Sequence, residues 1–185
     1  MVKTTGDIYG ERPVAELGKG AFVKEIERKI LEGDIDLAVH SAKDMPSELP
    51  EGLEVAAYLG RDDPSDCLVT ADGRGLAELE EGARIGTSSP RRAFQLLDLR
   101  PDLKVVPMRG NLDTRMRKLE EGVCDAIVVA YCGLLRLGLG ERASEVFDPE
   151  LFLPSAGQGA LALEVRSGDE VASMLRPLDL SLIHI

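Results

Sequence analysis

Residues 84–106 read RIGTSSPRRAFQLLDLRPDLKVV, and the rest of the chain repeats their grammar. Arg84–Gly86 is a short strand candidate. Ser88 or Ser89 can cap the helix that follows, and Pro90 stands at the first helical position, where its missing N–H has no helical partner to lose. The helix runs over Pro90–Leu99 and a second strand over Leu103–Val106. Downstream come a helix over Leu112–Glu121 and a strand over Ala126–Ala130. Upstream, Phe22, Ile26 and Ile30 recur at the spacing of one helix face over Phe22–Glu32, and Gly33 ends it. Ile35, Leu37 and Val39 sit in an apolar run that reads as a mostly buried strand. Leu53–Leu59, Cys67–Thr70 and Ala160–Val165 are further strand candidates, and Leu76–Glu81 is a short helix. Strands that alternate with helices define an α/β fold with mostly parallel sheets. LEGDIDLAVHSA (31–42) and LEEGVCDAIVVAY (119–131) both run from a helix end through Gly to an Asp-bearing strand. Common αβ-loop chemistry can produce that echo by itself, but it fits two related lobes with a cleft between them.

With 44% apolar and 30% charged side chains, the chain can bury one large core or two smaller ones. No apolar run approaches the length of a bilayer span, and the opening MVKTTGDIYGERP lacks the apolar stretch of a signal peptide, which points to the cytoplasm. Cys67, Cys124 and Cys132 form no CxxC pair and are odd in number. Neither a disulfide framework nor a metal site is expected, and their plain reading is as small buried hydrophobes. The net charge of −11 and the 4% aromatic content disfavour nucleic acid and anionic membranes as partners. Within this acidic chain, Arg91, Arg92, Arg100, Lys104, Arg109, Arg115, Arg117 and Lys118 far outnumber Asp98, Asp102 and Asp113. A basic island of that kind suits a small polyanionic ligand.

The chemistry concentrates where strands give way to loops. In GTSSPRR (86–92) a helix start carries Arg91 and Arg92, although the positive end of a helix dipole disfavours cations. An anion must compensate, and free amides, hydroxyls and guanidiniums together suit a carboxylate or phosphate. The plain alternative is a solvated helix end. Arg109 follows a strand and precedes a helix, with Arg115 one turn in, which makes a second anion site at a sheet edge. Arg117 more simply pairs with Glu120 or Glu121 on its own helix. Asp44 lies just past the strand that ends near His40, beside Lys43, on a loop braked by Pro46. A carboxylate at such an edge can steady a developing cation and exchange protons with it. An Asx turn, or pairing with Lys43, explains Asp44 equally well from residues alone. His40 reads as a packing residue at a strand end.

VHSAKDMP (39–46), GTSSPRR, RGNLDTR (109–115), LLRLGL (134–139) and PSAGQGA (154–160) stand in the order and approximate spacing of the hydroxymethylbilane synthases, or porphobilinogen deaminases. From about Val2 to Asp179 the chain resembles that family. The resemblance implies two lobes like those of periplasmic binding proteins, with an interlobe cleft, followed in the family by a small third α+β domain that holds a dipyrromethane cofactor on a cysteine. It implies a transferase of tetrapyrrole (heme) biosynthesis that joins four porphobilinogens head to tail with loss of ammonia to give hydroxymethylbilane. By the same resemblance Asp44 is the catalytic carboxylate. Ser41, Lys43, Thr87, Ser88, Ser89, Arg91 and Arg92 match cofactor contacts. Arg109, Arg115 and Arg136 match arginines that hold the substrate or the growing polypyrrole chain. Residues 7–22, with Lys19 as a further substrate contact, resemble a mobile loop over the cleft, and Gln158 falls in what resembles an interlobe turn.

These readings set lobe 1 at 1–62, lobe 2 at 63–153, a return segment to lobe 1 at 154–179 and an atypical tail, LSLIHI, at 180–185. Family members open with a strand bearing an Arg and a Ser, and close with the third domain. Neither is recognisable here, so lobe 1 is expected to be incomplete, and the chain to be a fragment that by itself lacks the cofactor cysteine and turnover. A monomer is expected. The rival reading is a two-lobe binding module for a polycarboxylate or oxyanion without catalysis, which the same arginines would serve. A nucleic-acid-binding protein is a third, favoured by the basic island and opposed by the overall charge.

Overall fold

The computed structural model describes residues 21–180. Lys19, and all but the last two residues of the expected loop at 7–22, lie outside them. The chain divides into two compact units: one holds the described residues up to Asp62 and from Ala156 onward, and the other is Asp63–Ser155. Among the described residues no helix is long and apolar enough to cross a membrane.

The first unit contains helix α1 (Ala21–Glu32), strands β1 (Leu37–Ser41), β2 (Leu53–Tyr58) and β8 (Leu161–Arg166), and helix α5 (Glu170–Leu175). The second contains β3 (Asp66–Thr70), β4 (Arg84–Gly86), α2 (Pro90–Leu99), β5 (Lys104–Val106), α3 (Leu112–Glu120), β6 (Ala126–Ala130), α4 (Tyr131–Arg136) and β7 (Glu145–Val146). The sheet orders are β1-β8-β2 and β5-β4-β6-β3-β7.

Most strands in each sheet point the same way, as expected, and each sheet carries one reversed strand. Only β4 pairs in parallel, with β5 and β6; the ladders β1·β8, β2·β8, β3·β6 and β3·β7 are antiparallel. The reason is connectivity. Strand β3 is the first after the chain leaves one unit and β8 the first after it returns, and each enters the interior of its sheet reversed.

Period-two alternation distributes the core of the second unit over two faces. Leu68, Ala126 and Val128 point to the side covered by α2 through Leu96, with Phe147 and Phe152 stacked at 4.6 Å between ring centroids. Cys67, Val69, Ile127 and Val129 point to the side covered by α3 and α4, through Met116, Leu119 and Leu134. In the first unit Ile30 of α1 closes on Ala38 and Leu53, with Ile26 and Ile35 at the margin. Both echo segments turn from helix to strand on a left-handed glycine, Gly33 at φ 78° and Gly122 at φ 72°, a conformation that L side chains adopt only under strain.

Candidate functional site

Strand β1 ends at Ser41, and Ala42–Asp44 form a single 3₁₀ turn that Pro46 prevents from continuing. Ser41 and Lys43 are half-buried and Asp44 is exposed. Among the described residues no hydrogen bond or ion pair holds the Asp44 carboxylate, so neither an Asx turn nor pairing with Lys43 accounts for it. The Lys43 ammonium instead donates to Gln158 Oε1 at 3.2 Å. Gln158 is 1% exposed, and its own carbonyl accepts from Arg61 Nε at 3.0 Å. Glycines on either side let this turn press against its neighbours. A Cβ on Gly157 would lie 3.1 Å from the Lys43 nitrogen, and one on Gly159 only 2.3 Å from the Asp62 carbonyl.

Beneath the turn lies a buried polar cluster. His40 Nε2 stands 2.8 Å from Glu164 Oε2, and Glu164 is fully buried with its other oxygen unpartnered. Glu27 of α1, 5% exposed, joins them; burial first, and then the nearby Glu164, push its carboxyl above the usual range against the pull of His40 and Lys24. His40 thus holds a strand end by a hydrogen bond.

In the second unit, β4, β5 and β6 bring their carboxyl ends to one sheet edge, where the reversed β3 begins at Asp66. Thr87, Ser88 and Ser89 link β4 to α2. Thr87 Oγ1 accepts from the Ser89 N–H at 3.2 Å, Ser88 Oγ from the Met108 N–H at 3.0 Å, and Ser89 caps α2 through the Arg92 N–H at 3.5 Å. Each hydroxyl is used as an acceptor and retains a proton to donate. The Ser88 bond also ties the loop of Arg109 to that of α2. Within that second loop Arg115 Nε donates to the Gly110 carbonyl at 2.7 Å, and Asn111 caps α3. Arg136 ends α4 and is exposed.

The anion required at the start of α2 is internal. Asp66, with no exposed surface, accepts from Arg92 Nε at 3.1 Å and Nη2 at 2.7 Å through one oxygen, and from Arg91 Nη2 at 2.6 Å through the other. Arg92 is 6% exposed and spends its remaining terminal nitrogen on the Val128 carbonyl at 3.1 Å. Arg91 is less enclosed and also donates to the Leu153 carbonyl. The pair therefore divides: Arg92 is a buried strut, and Arg91 is the arginine that remains partly open. Two guanidiniums against one carboxylate leave a net positive charge beside the helix start, which still suits an anion. Elsewhere the island is trimmed by Arg100 with Asp102 at 2.8 Å and Arg117 with Glu121 at 3.7 Å. Among the described residues no group of three or more His, Cys, Asp or Glu could hold a metal ion. All three cysteines are buried, and burial pushes the Cys67 thiol up to about 12.

A family model described as "Porphobilinogen deaminase, dipyromethane cofactor binding domain" matches residues 1–174. The chain belongs to the porphobilinogen deaminase family. A porphobilinogen deaminase of Syntrophobacter fumaroxidans is 52% identical over 180 residues, which are 96% of this chain and 58% of the relative. One from Nitratidesulfovibrio vulgaris is 55% identical over 168 residues, covering 90% and 53%. The chain thus spans little more than half the length of these relatives. Among solved structures, a periplasmic substrate-binding protein of an ABC transporter from Coxiella burnetii aligns at TM-score 0.54 with 15% identity, over 82% of this chain and 74% of that one. A putative methionine-binding lipoprotein from Bacillus subtilis aligns at 0.51 with 14% identity, over 82% and 73%. These likenesses show a periplasmic-binding-protein-like fold and nothing more.

Among the described residues the structure gathers most of the candidate residues in two sets. Ser41, Lys43 and Asp44 share one turn; Thr87, Ser88, Ser89, Arg91, Arg92 and Arg109 share one sheet edge, with Arg115 behind it. Sequence reasoning missed Asp66, Arg61, Glu27 and Glu164. Two of them left a signal, because Asp66 and Glu164 are acids inside the apolar strands DCLVT and LALEVR. A charge on a strand buried on both sides needs a dedicated partner.

Proposed function

We propose that this chain supplies the ligand-handling lobes of a porphobilinogen deaminase, which condenses four porphobilinogens head to tail into hydroxymethylbilane in tetrapyrrole biosynthesis. The match to the family over residues 1–174 carries the reading, and the Asp44 carboxylate, unpaired among the described residues, supports the chemistry. When the aminomethyl C–N bond of a porphobilinogen breaks, ammonia leaves and the pyrrole is left cationic. The free α-carbon of the growing chain's terminal pyrrole attacks that cationic methylene, forms the new C–C bond and then loses its proton. Asp44, exposed and without a hydrogen-bond or ion-pair partner among the described residues, can face the cation and take up that proton, work worth ~10²–10⁴-fold in rate for a well-placed group.

The donor set also fits dipyrromethane, a ligand of two pyrroles whose acetates and propionates carry four negative charges. Ser41 and Lys43 on their turn, and separately Thr87, Ser88, Ser89 and Arg91 at their sheet edge, each offer donors to such carboxylates, with Arg92 keeping Arg91 in place. When bound, the cofactor supplies the pyrrole from which the chain is extended. Arg109, Arg115, Arg136 and Lys19 would hold carboxylates of the incoming and growing pyrroles. We place the protein in the cytoplasm as a monomer, with porphobilinogen and the growing chain as its ligands.

The test is a chimera in which this chain replaces the matching 180 residues of the Syntrophobacter fumaroxidans relative. Porphobilinogen should be consumed with release of ammonia, and Asp44→Asn should lower kcat by about 100-fold or more with the fold unchanged. A folded chimera that binds porphobilinogen without consuming it, or one indifferent to Asp44→Asn, would refute the proposal.

A further inference from the structure

We propose that Glu164 is a positioning residue for Asp44, acting through His40: the buried pair pins the end of β1 and so fixes the turn on which the Asp44 carboxylate stands. The inference rests on the reading of Asp44 as the proton-handling group. Asp44 is exposed, and no hydrogen bond or ion pair among the described residues holds its carboxylate. A carboxylate kept open for a substrate cation is not aimed by a partner of its own, so its aim must come from the backbone behind it.

That backbone leaves from an edge. Among the described residues β1 pairs with β8 alone, and Val39, on the face away from α1, is 58% exposed. A strand with a single ladder frays and shifts register more readily than an interior one. His40 is the last buried residue of β1 and stands opposite Ala162, while Glu164 stands opposite Ala38. The two side chains therefore reach diagonally across neighbouring strands, on the face where Ile30 of α1 packs on Ala38, and Nε2 meets Oε2 at 2.8 Å. One proton lies between imidazole and carboxyl. Glu164 has no exposed surface and its Oε1 lacks a hydrogen bond, so among the described residues its side chain bonds to His40 only. An aliphatic pair of similar volume would fill that space without the cost of desolvation, but it would not fix distance and direction across the ladder. Beyond His40 the Ala42 N–H donates to Ala160 O at 3.0 Å and the Met45 N–H to Ala42 O at 3.2 Å, which carries the fixed register through the turn to Asp44.

The experiment compares variants in the chimera with the Syntrophobacter fumaroxidans relative, with ammonia release as the assay. Glu164→Leu is expected to lower kcat roughly tenfold to a hundredfold, with KM for porphobilinogen within about twofold, because a shift of about 1 Å at a reacting group has an effect of that order. Glu164→Gln offers both an acceptor and a donor, matches either arrangement of the shared proton, and should keep kcat within about threefold of the unsubstituted chimera. In an Asp44→Asn background Glu164→Leu should have little further effect. An unchanged kcat, a glutamine variant as slow as the leucine one, or a loss that multiplies in full with that of Asp44→Asn overturns the proposal. The double variant His40→Leu/Glu164→Leu strands no polar group and carries the same expected loss, which decides the matter where the single variant does not fold. A second readout needs no turnover. In the 185-residue chain, Glu164→Leu should speed hydrogen exchange at the Ala42 and Met45 amides about tenfold more than at Ser167, whose N–H bonds Gly52 O at the far end of the same sheet. Equal changes at both ends overturn the clamp whether or not the chimera turns over, whereas an inactive unsubstituted chimera refutes the functional reading alone.

Discussion

Asp66→Asn isolates the electrostatic strut at the start of α2. The wild-type carboxylate has no exposed surface and takes three guanidinium hydrogen bonds between 2.6 and 3.1 Å. Asparagine keeps the shape but removes the charge, and turns an amide N–H₂ toward groups that only donate. Arg92, with a side chain 7% exposed, is then a buried cation without its counter-ion. Breaking a buried pair from one side costs about 3–5 kcal/mol, a large part of the ~5–15 kcal/mol that holds a domain together. With a urea slope of ~2 kcal/mol/M for a domain of this size, the midpoint for the second unit should fall by roughly 2 M. The assay is urea unfolding followed by circular dichroism, beside Asp66→Asn/Arg92→Met. Removing both partners leaves no stranded charge, so the double variant should regain part of the loss. A single variant within ~1 kcal/mol of wild type, or a double variant less stable than the single, would refute the argument that Arg92 is a strut held by Asp66.

The carboxyl of Glu27 is pushed up by burial and by Glu164, so the folded state holds this proton more tightly than the unfolded one. That contribution is complete below the ordinary carboxylate pKa and is lost as pH rises through the folded value. Glu27→Gln should therefore match wild type near pH 4 and melt at a higher temperature near pH 7; equal differences at both pH values would count against it. Gly159→Ala should destabilise the first unit by about 3 kcal/mol or more, because its Cβ would sit 2.3 Å from a backbone oxygen at φ 92°. Gly73→Ala, at φ 82° with nothing within 4 Å, should cost only about 1–2 kcal/mol in the same melt. Equal losses at the two positions would mean that φ alone matters at Gly159.

The elements legible in the sequence are those with a local cause. Helix α2 has a serine cap and a proline at its first position, and α1 has a one-faced apolar repeat and a glycine stop, so both stand within a residue or two of where they were expected. What could not be read depends on distant partners or lacks a local marker. Strand β7 is two residues long, too short to show a period, and α4 starts straight from β6 on Ala130 without a side-chain cap. The reversal of β3 and β8 follows from the route of the chain between units, which alternation does not encode. In the candidate site, the charge conflict at Arg91 and Arg92 was visible and called for an anion, but the carboxylate that answers it lies 25 residues upstream. Nothing local ties the two. Gln158 stands 115 residues from Lys43, and only the fold brings amide to ammonium.

Arg92 and Lys43 are both cations near strand ends, and Arg92 is the more deeply buried. Arg92 lies under the sheet edge, where an uncompensated charge costs several kcal/mol, and it receives a full counter-charge from a carboxylate that is itself enclosed. Lys43 is half-buried, and its ammonium donates to Gln158 Oε1 at 3.2 Å. A glutamine at 66 would strand Arg92. Asp44, next in the chain, has no cation assigned to it among the described residues. A carboxylate left unpaired beside a lysine directed elsewhere is the arrangement expected of a group whose cation arrives with the substrate.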